Sequence, residues 1–169
     1  MPSSSSFDSA HFRTALGRFA TGVTVITTQA PDGSSVGLTV SSFNSVSLDP
    51  PLVLLSLGLN SSSLAAIQQC ERYVIHVLSA AQIALARRFA TGKAQERFAG
   101  LPVAKAPGGT LMLEGESAAW FECRNRSRYQ EGDHLIMVGE VEHCGYSAAP
   151  PLVFHAGGFD LTPKHPAQE

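Results

Sequence analysis

The stretch TGVTVITTQAPDGSSVGLTVSS, residues 21–42, decides the fold. Every side chain from Val23 to Thr28 is β-branched, so restricted χ1 rotamers favour an extended chain over a helix. The run stops near Pro31-Asp32-Gly33, where Pro presets φ and Gly tolerates a left-handed turn. Val36–Ser42 then alternates small polar with apolar residues, the period of a strand with one buried face. An antiparallel hairpin is predicted here, and with it a sheet built mainly from neighbouring strands.

Upstream, Phe12, Leu16 and Phe19 recur at helical spacing within Phe7–Ala20, and Asp8 or Ser9 is placed to cap an amphipathic helix. Downstream, Leu48 leads into Asp49-Pro50-Pro51, and Leu52–Leu57, apolar except for Ser56, reads as a deeply buried strand. Ser61-Ser62-Ser63 precedes a helix at Leu64–Cys70, Tyr73–Leu78 reads as a strand, and Ser79 with Gln82 forms a capping box for a helix through Ala90. Leu101–Gly109 is expected to be a loop, after which Ser117–Arg124, His134–His143 and Leu152–His155 read as strands. The pentapeptide Arg-Phe-Ala-Thr-Gly occurs at 18–22 and again at 88–92, but the flanks do not repeat. Both copies are expected to close a helix, with Arg opposing the dipole and Gly in a left-handed stop.

These elements favour a mainly β, closed antiparallel sheet with peripheral helices over a doubly wound parallel one. The expected organisation is one domain at 7–162, with disordered ends at 1–6 and 163–169. Twelve Lys plus Arg against fourteen Asp plus Glu leave no basic stripe for nucleic acid. Residues 1–6 lack the apolar run of a secretion signal and no stretch is long and apolar enough for a membrane span, so a cytoplasmic protein is expected. Cys70, Cys123 and Cys144 are odd in number and widely spaced, which points to buried thiols rather than disulfides or a zinc site.

No Gly-x-Gly-x-x-Gly follows a predicted strand, so a nucleotide would not be held in Rossmann fashion. Small hydroxyl side chains concentrate instead at Thr39–Ser45 and Ser56–Ser63, and the second group runs into a helix N-terminus. Main-chain N–H groups and serine hydroxyls there suit an anion without a lysine or arginine, the plainer alternative being that Ser63 only caps the helix. His134 follows Gly132-Asp133 at a strand start, within reach of a cleft or else serving as a structural group. The remaining histidines lack metal-ligand spacing, no catalytic metal is expected, and no Gly-x-Ser-x-Gly elbow supports a hydrolase.

In order along the chain, Phe19-Ala20-Thr21-Gly22-Val23-Thr24-Val25, Thr39-Val40-Ser41-Ser42-Phe43 and Ser47-Leu48-Asp49-Pro50-Pro51-Leu52-Val53 resemble the short-chain flavin reductase family. The likeness continues through Ser56–Ser63, Arg97-Phe98-Ala99-Gly100, Gly132-Asp133-His134 and Val138-Gly139-Glu140-Val141, spanning about residues 12–161. It implies an FMN-binding split β-barrel acting as a homodimer, with flavin in a groove near the subunit interface. It also implies hydride transfer from NADH or NADPH to FMN or FAD, and delivery of reduced flavin to a partner monooxygenase.

By the same likeness Thr39, Val40, Ser41 and Ser42 line the isoalloxazine and ribityl chain, while Ser56, Leu57, Gly58, Ser61, Ser62 and Ser63 approach the ribityl and phosphate groups. Arg88 and Phe89 are further candidates on the phosphate or adenosine side, and His134 lies near the flavin and nicotinamide rings. His76 stands where the family often has Asn, and Gly157-Gly158-Phe159 where it commonly has Arg and Tyr after a Gly pair. The absence of a clear basic pair for a 2′-phosphate leans toward NADH. Two alternatives are a pyridoxamine-phosphate-oxidase-like enzyme, which needs a cationic cluster not evident here, and a non-catalytic flavin-binding or electron-transfer module.

Overall fold

The structure, a computed structural model, describes residues 6–160. The expected disordered ends lie outside the described residues apart from Ser6. The chain runs α1 (Ser9–Gly17), β1 (Thr21–Gly22), β2 (Thr24–Gln29), β3 (Ser35–Val40), β4 (Asn44–Leu48), β5 (Pro51–Gly58) and α2 (Leu64–Gln69). It continues through β6 (Arg72–Val77), α3 (Ile83–Thr91), β7 (Val103–Lys105), β8 (Leu111–Leu113), β9 (Ala119–Glu131), β10 (His134–Tyr146), β11 (Val153–His155) and β12 (Gly158–Asp160).

The β2–β3 hairpin forms where the sequence puts it, pairing Ile26 with Leu38 and Thr28 with Val36. Gly33 takes φ 83°, and Asp32 accepts from the Ser34 main chain at 2.9 Å and its hydroxyl at 2.6 Å. The hairpin is one end of a seven-stranded sheet ordered β3-β2-β6-β9-β10-β5-β4, antiparallel at every pairing. Val53, Leu55 and Leu57 of β5 point inward with Tyr73, Ile75, Cys123 and Met137, so β5 is buried on alternate residues rather than on both faces. The sheet curls until Ser42, just past edge strand β3, reaches β5: its Oγ donates to Ser56 O and accepts from Ser56 N, both at 2.9 Å. A side chain, not a main-chain ladder, bridges that seam.

A second core lies outside this sheet, where Phe89 and Ala86 of α3 pack with Val23, Val25, Leu78, Leu113 and Leu152. It extends to Phe154 and Phe159 in the small sheet β1-β11-β12. The capping box at Ser79 and Gln82 is present, opening a short 3₁₀ turn, Ala80–Gln82, ahead of α3. No helix among the described residues is long and apolar enough to cross a membrane.

Several expectations are corrected. Helix α1 is capped by Asp8 but stops at Gly17 and buries none of its residues; Phe12, Leu16 and Phe19 are all exposed. Neither Arg-Phe-Ala-Thr-Gly glycine is left-handed: Gly22 lies in β1, and Gly92 is extended at φ −66°. Gly92 is required sterically, because a Cβ there would sit 2.5 Å from the Arg88 carbonyl oxygen. Of the three thiols only Cys123 is buried; Cys70 is half-buried and Cys144 exposed.

The expected loop at Leu101–Gly109 instead contributes β7 to a hairpin with β8, clamped across the outer face of the large sheet. Three buried side chains make that clamp. Thr27 donates to Leu111 O at 2.7 Å, His76 Nε2 accepts from Leu113 N at 3.4 Å, and Glu122 accepts from Gly108 N at 2.7 Å and Thr110 N at 3.2 Å. His76 is therefore a structural acceptor, 3.2 Å from the Thr27 hydroxyl. Gly108 is forced, since a Cβ would approach Glu122 Oε1 to 2.8 Å.

Candidate functional site

Strand β3 forms one edge of the sheet, so half of its main-chain groups have no strand to pair with. The Gly37 carbonyl points outward to Arg97 Nη1 at 2.7 Å, and by the two-residue period the main-chain groups of Thr39 point the same way. The Thr39 hydroxyl is spent on Ala86 O at 2.7 Å, which ties β3 to α3. Beside this edge a cavity of about 140 Å³ is lined by Thr39, Val40, Ser41, Ala90, Phe154 and Phe159. A cleft of about 280 Å³ shares Ser41 and Phe154 with it and extends under α1 past Leu16, Phe19 and Thr21. Thr21 Oγ1 is buried there with no hydrogen-bond partner among the described residues.

The hydroxyl groups meet at two points. Ser42 and Ser56 are bound to each other, and Ser63, buried at the start of α2, lies 3.4 Å from Arg97 Nη1. Ser63 makes no side-chain cap, which removes the plainer reading of it. Ser61 Oγ accepts from Ser63 N at 3.3 Å, and Ser62 is exposed. Arg97 is the residue the sequence reading missed: its Nε donates to Gly92 O at 2.9 Å, and no partner engages its Nη2 among the described residues. Burial lowers its pKa from the ordinary arginine value, so the cation sits in a partly dry place. An arginine thus stands beside the serine group, a cation the sequence reading did not place there.

At the other end of the strip His134 pairs in register with Gly58, and Leu59 N donates to Asp133 O at 2.9 Å. His134 Nδ1 lies 2.7 Å from Asp133 Oδ1, an ion-pair geometry that holds the Asp133 carboxyl below its usual range. A Cβ built on Gly58 meets nothing within 4 Å, so the space beside His134 is open.

Two candidates turn their side chains into the core. The Phe89 ring is fully buried, packed edge-on against Phe98 at 5.0 Å, and cannot line a cleft. The Leu57 side chain is likewise in the core, leaving only its main chain for a ligand. Arg88 donates to Glu96 O at 2.9 Å and to Ala99 O, bracing the segment after α3. Near the C-terminus the Phe159 and Phe154 rings lie tilted at 59° with centroids 5.4 Å apart, and the Arg87 guanidinium is 5.9 Å from the Phe159 ring.

This arrangement suits a planar heterocycle carrying an anionic tail. An edge strand offers main-chain donors and acceptors, aromatic side chains offer faces, and a serine–arginine pair offers a phosphate seat. The unpartnered Thr21 hydroxyl and the free Nη2 of Arg97 are the donors such a group would satisfy.

Comparison with known proteins agrees with the geometry. The profile of the flavin reductase like domain matches residues 16–162. The FMN reductase (NADH) SmoA of Agrobacterium fabrum is 44% identical over 153 residues, 90% of this chain and 85% of the relative. The reductase subunit HsaB of a flavin-dependent monooxygenase from Rhodococcus jostii is 37% identical, over 90% of this chain and 77% of that one. Among solved structures, an NADH:FAD oxidoreductase of Streptomyces globisporus in complex with NAD and FAD fragments superposes with a TM-score of 0.86 at 31% identity, covering 94% of each chain.

Proposed function

The chain belongs to the flavin reductase like family, and from that premise we propose that it moves a hydride from NADH to FMN or FAD and passes the reduced flavin to a partner monooxygenase. The observation that carries this reading is the cleft along the β3 edge at Thr39–Ser41; the same strand is held at Gly37 by Arg97, which stands beside Ser63. When bound, the flavin supplies the two-electron acceptor, so the protein needs no strong acid or base of its own.

The chain's residues bind, orient and keep water out. Main-chain groups of Thr39 and Ser41 would hold the polar rim of the ring, with Val40 against its edge. Ser61, Ser62, Ser63 and Arg97 would take the phosphate, where a guanidinium fork outperforms a hydroxyl because its hydrogen bonds are charge-assisted. Ser42 and Ser56 act at one remove, by fixing the seam on which the groove depends. His134, its Nδ1 engaged by Asp133, would present Nε2 to the rings over the open space at Gly58. Phe154 and Phe159 would flank the nicotinamide approach and exclude water from it.

The reading includes a cytoplasmic homodimer, the groove being completed by the second subunit; the apolar side chains left exposed on one copy support it. Steady-state oxidation of NADH by purified protein, with and without added FMN, FAD or riboflavin, tests the activity. Turnover that rises and saturates with added flavin is expected. A folded, flavin-supplemented sample that oxidises neither NADH nor NADPH would remove the reductase reading.

A further inference from the structure

Away from the flavin groove, Thr27, His76 and Glu122 stand on one face of the adjacent strands β2, β6 and β9. All three are 0–1% exposed, and each makes at least one hydrogen bond to the main chain of the β7–β8 hairpin. The hairpin is only three residues long in each strand and pairs with no strand of the large sheet, so these side chains do the work a ladder would otherwise do. We propose that the β7–β8 hairpin is a pH-sensitive strap, held against the sheet while His76 is neutral and Glu122 ionised, and released on acidification.

The chemistry of the two latches follows from who donates. Leu113 N is a donor, so its bond requires a lone pair on His76 Nε2; a proton there forfeits that bond, finds only the Thr27 Oγ1 at 3.2 Å as acceptor among the described residues, and buries a charge. Gly108 N and Thr110 N are donors as well, so Glu122 serves only as an acceptor, and a neutral carboxyl gives up part of that capacity. Acid opposes both latches, the His76 latch first.

The charged surroundings do not cancel this. Toward His76 face Thr27 from β2, Trp120 from β9 and Leu111 and Leu113 from β8, none of them ionisable. Toward Glu122 faces His143 from β10, at 2.9 Å through Nδ1. The nearby cations are committed elsewhere: Arg72 to Glu142 and Glu71, Arg124 to Glu140, and Lys105 of β7 to Gln29. Burial pulls His76 down to about 4. At Glu122 burial works upward, but hydrogen bonds from Thr110, Gly108 and His143 outweigh it and the pKa is lowered. A cleft of about 320 Å³ undercuts the hairpin tip between Gly108–Leu111 and Thr28, Gln29 and Arg72, giving water access as the strap lifts.

The sign is that of a group with a depressed folded pKa. In the released hairpin His76 regains an ordinary value near 6.5, so closure is fully favoured above that pH and weakens as pH falls toward 4. Peptide-resolved hydrogen exchange on the whole chain between pH 7.5 and 4.5, corrected for intrinsic rates, measures the opening. The opening constant for the segment 104–113 is expected to rise about tenfold per pH unit below pH 6.5, while β9 and β6 exchange more slowly throughout. The variant His76→Asn keeps an acceptor for Leu113 N but cannot titrate, and should flatten that slope. A hairpin that exchanges at the rate of β9 at every pH, a ratio that does not change with pH, or an unaltered slope in His76→Asn each overturns the strap. The wild-type measurement decides even if the variant folds poorly.

Discussion

At Arg97 a single side chain joins three parts of the chain, taking the carbonyls of Gly37 and Gly92 and lying beside the Ser63 hydroxyl. If it also seats the flavin phosphate, Arg97→Ala should raise the FMN dissociation constant about 10–100-fold, the worth of a charge-assisted hydrogen bond. The rate at saturating flavin should stay within about twofold, and Arg97→Lys should recover part of the affinity because charge returns without the fork. Flavin fluorescence titration reads this directly, and equal affinities for wild type and Arg97→Ala would make the residue a strut only. Ser42→Ala belongs to the same scale: it strands the Ser56 N–H and C=O at the barrel seam. Urea unfolding should show a loss of about 1–3 kcal/mol. The hydroxyl strip was legible because serines and threonines crowd strand ends within a few residues of one another. Arg97 was not, because it lies 34 positions from Ser63 and only the fold brings them together. Arg88 and Phe89 differ for a local reason: neighbours on a helix point about 100° apart, so one braces a loop while the other fills the core.

Among the elements, the strands were the easier reading. β2, β3, β5 and β6 carry β-branched or alternating patterns that only an extended chain satisfies, and each is found within one or two residues of its expected bounds. β9 runs well past its expected end, because Asn125–Glu131 is polar but for Tyr129 and carries no period to read, and β10 continues to Tyr146. The β7–β8 hairpin was invisible for a different reason: it is short, and what holds it to the large sheet is side chains on distant strands. Helix α1 shows the limit of periodicity, which marks an apolar face without saying what covers it. For α3 the physical claim is sharper. Its hold on the sheet rests on Phe89, which packs against Gly37 so closely that a Cβ there would come within 2.7 Å of the ring. Phe89→Ala should therefore cost about 3–5 kcal/mol of stability in denaturant unfolding. The folded fraction should keep its affinity for FMN. Weakened binding at full folding would return Phe89 to the site.

Taken as a whole, one copy leaves several large apolar side chains in water. Leu48 is 95% exposed, Tyr146 92% and Phe19 77%, and they are accompanied by Val46 on β4 and by Phe12 and Leu16 on α1. Isolated exposed apolar side chains are ordinary, but clusters on one helix and one edge strand mark surfaces that a partner covers. Both clusters border the elements that shape the groove: α1 roofs the cleft at Ser41, and β4 follows directly from the Ser42 seam. A second copy seated on either would therefore act on flavin binding as well as on assembly. Sedimentation equilibrium should give twice the 17.9 kDa chain mass at micromolar concentration. Leu48→Asp and Phe19→Asp place a charge in one cluster each. Whichever residue lies at the centre of the contact should weaken association by about 30-fold or more, as buried anchors do. The same variant should lose flavin affinity in step with dimer. A wild-type chain that stays at 17.9 kDa while turning over NADH at full rate would show that one subunit's groove suffices.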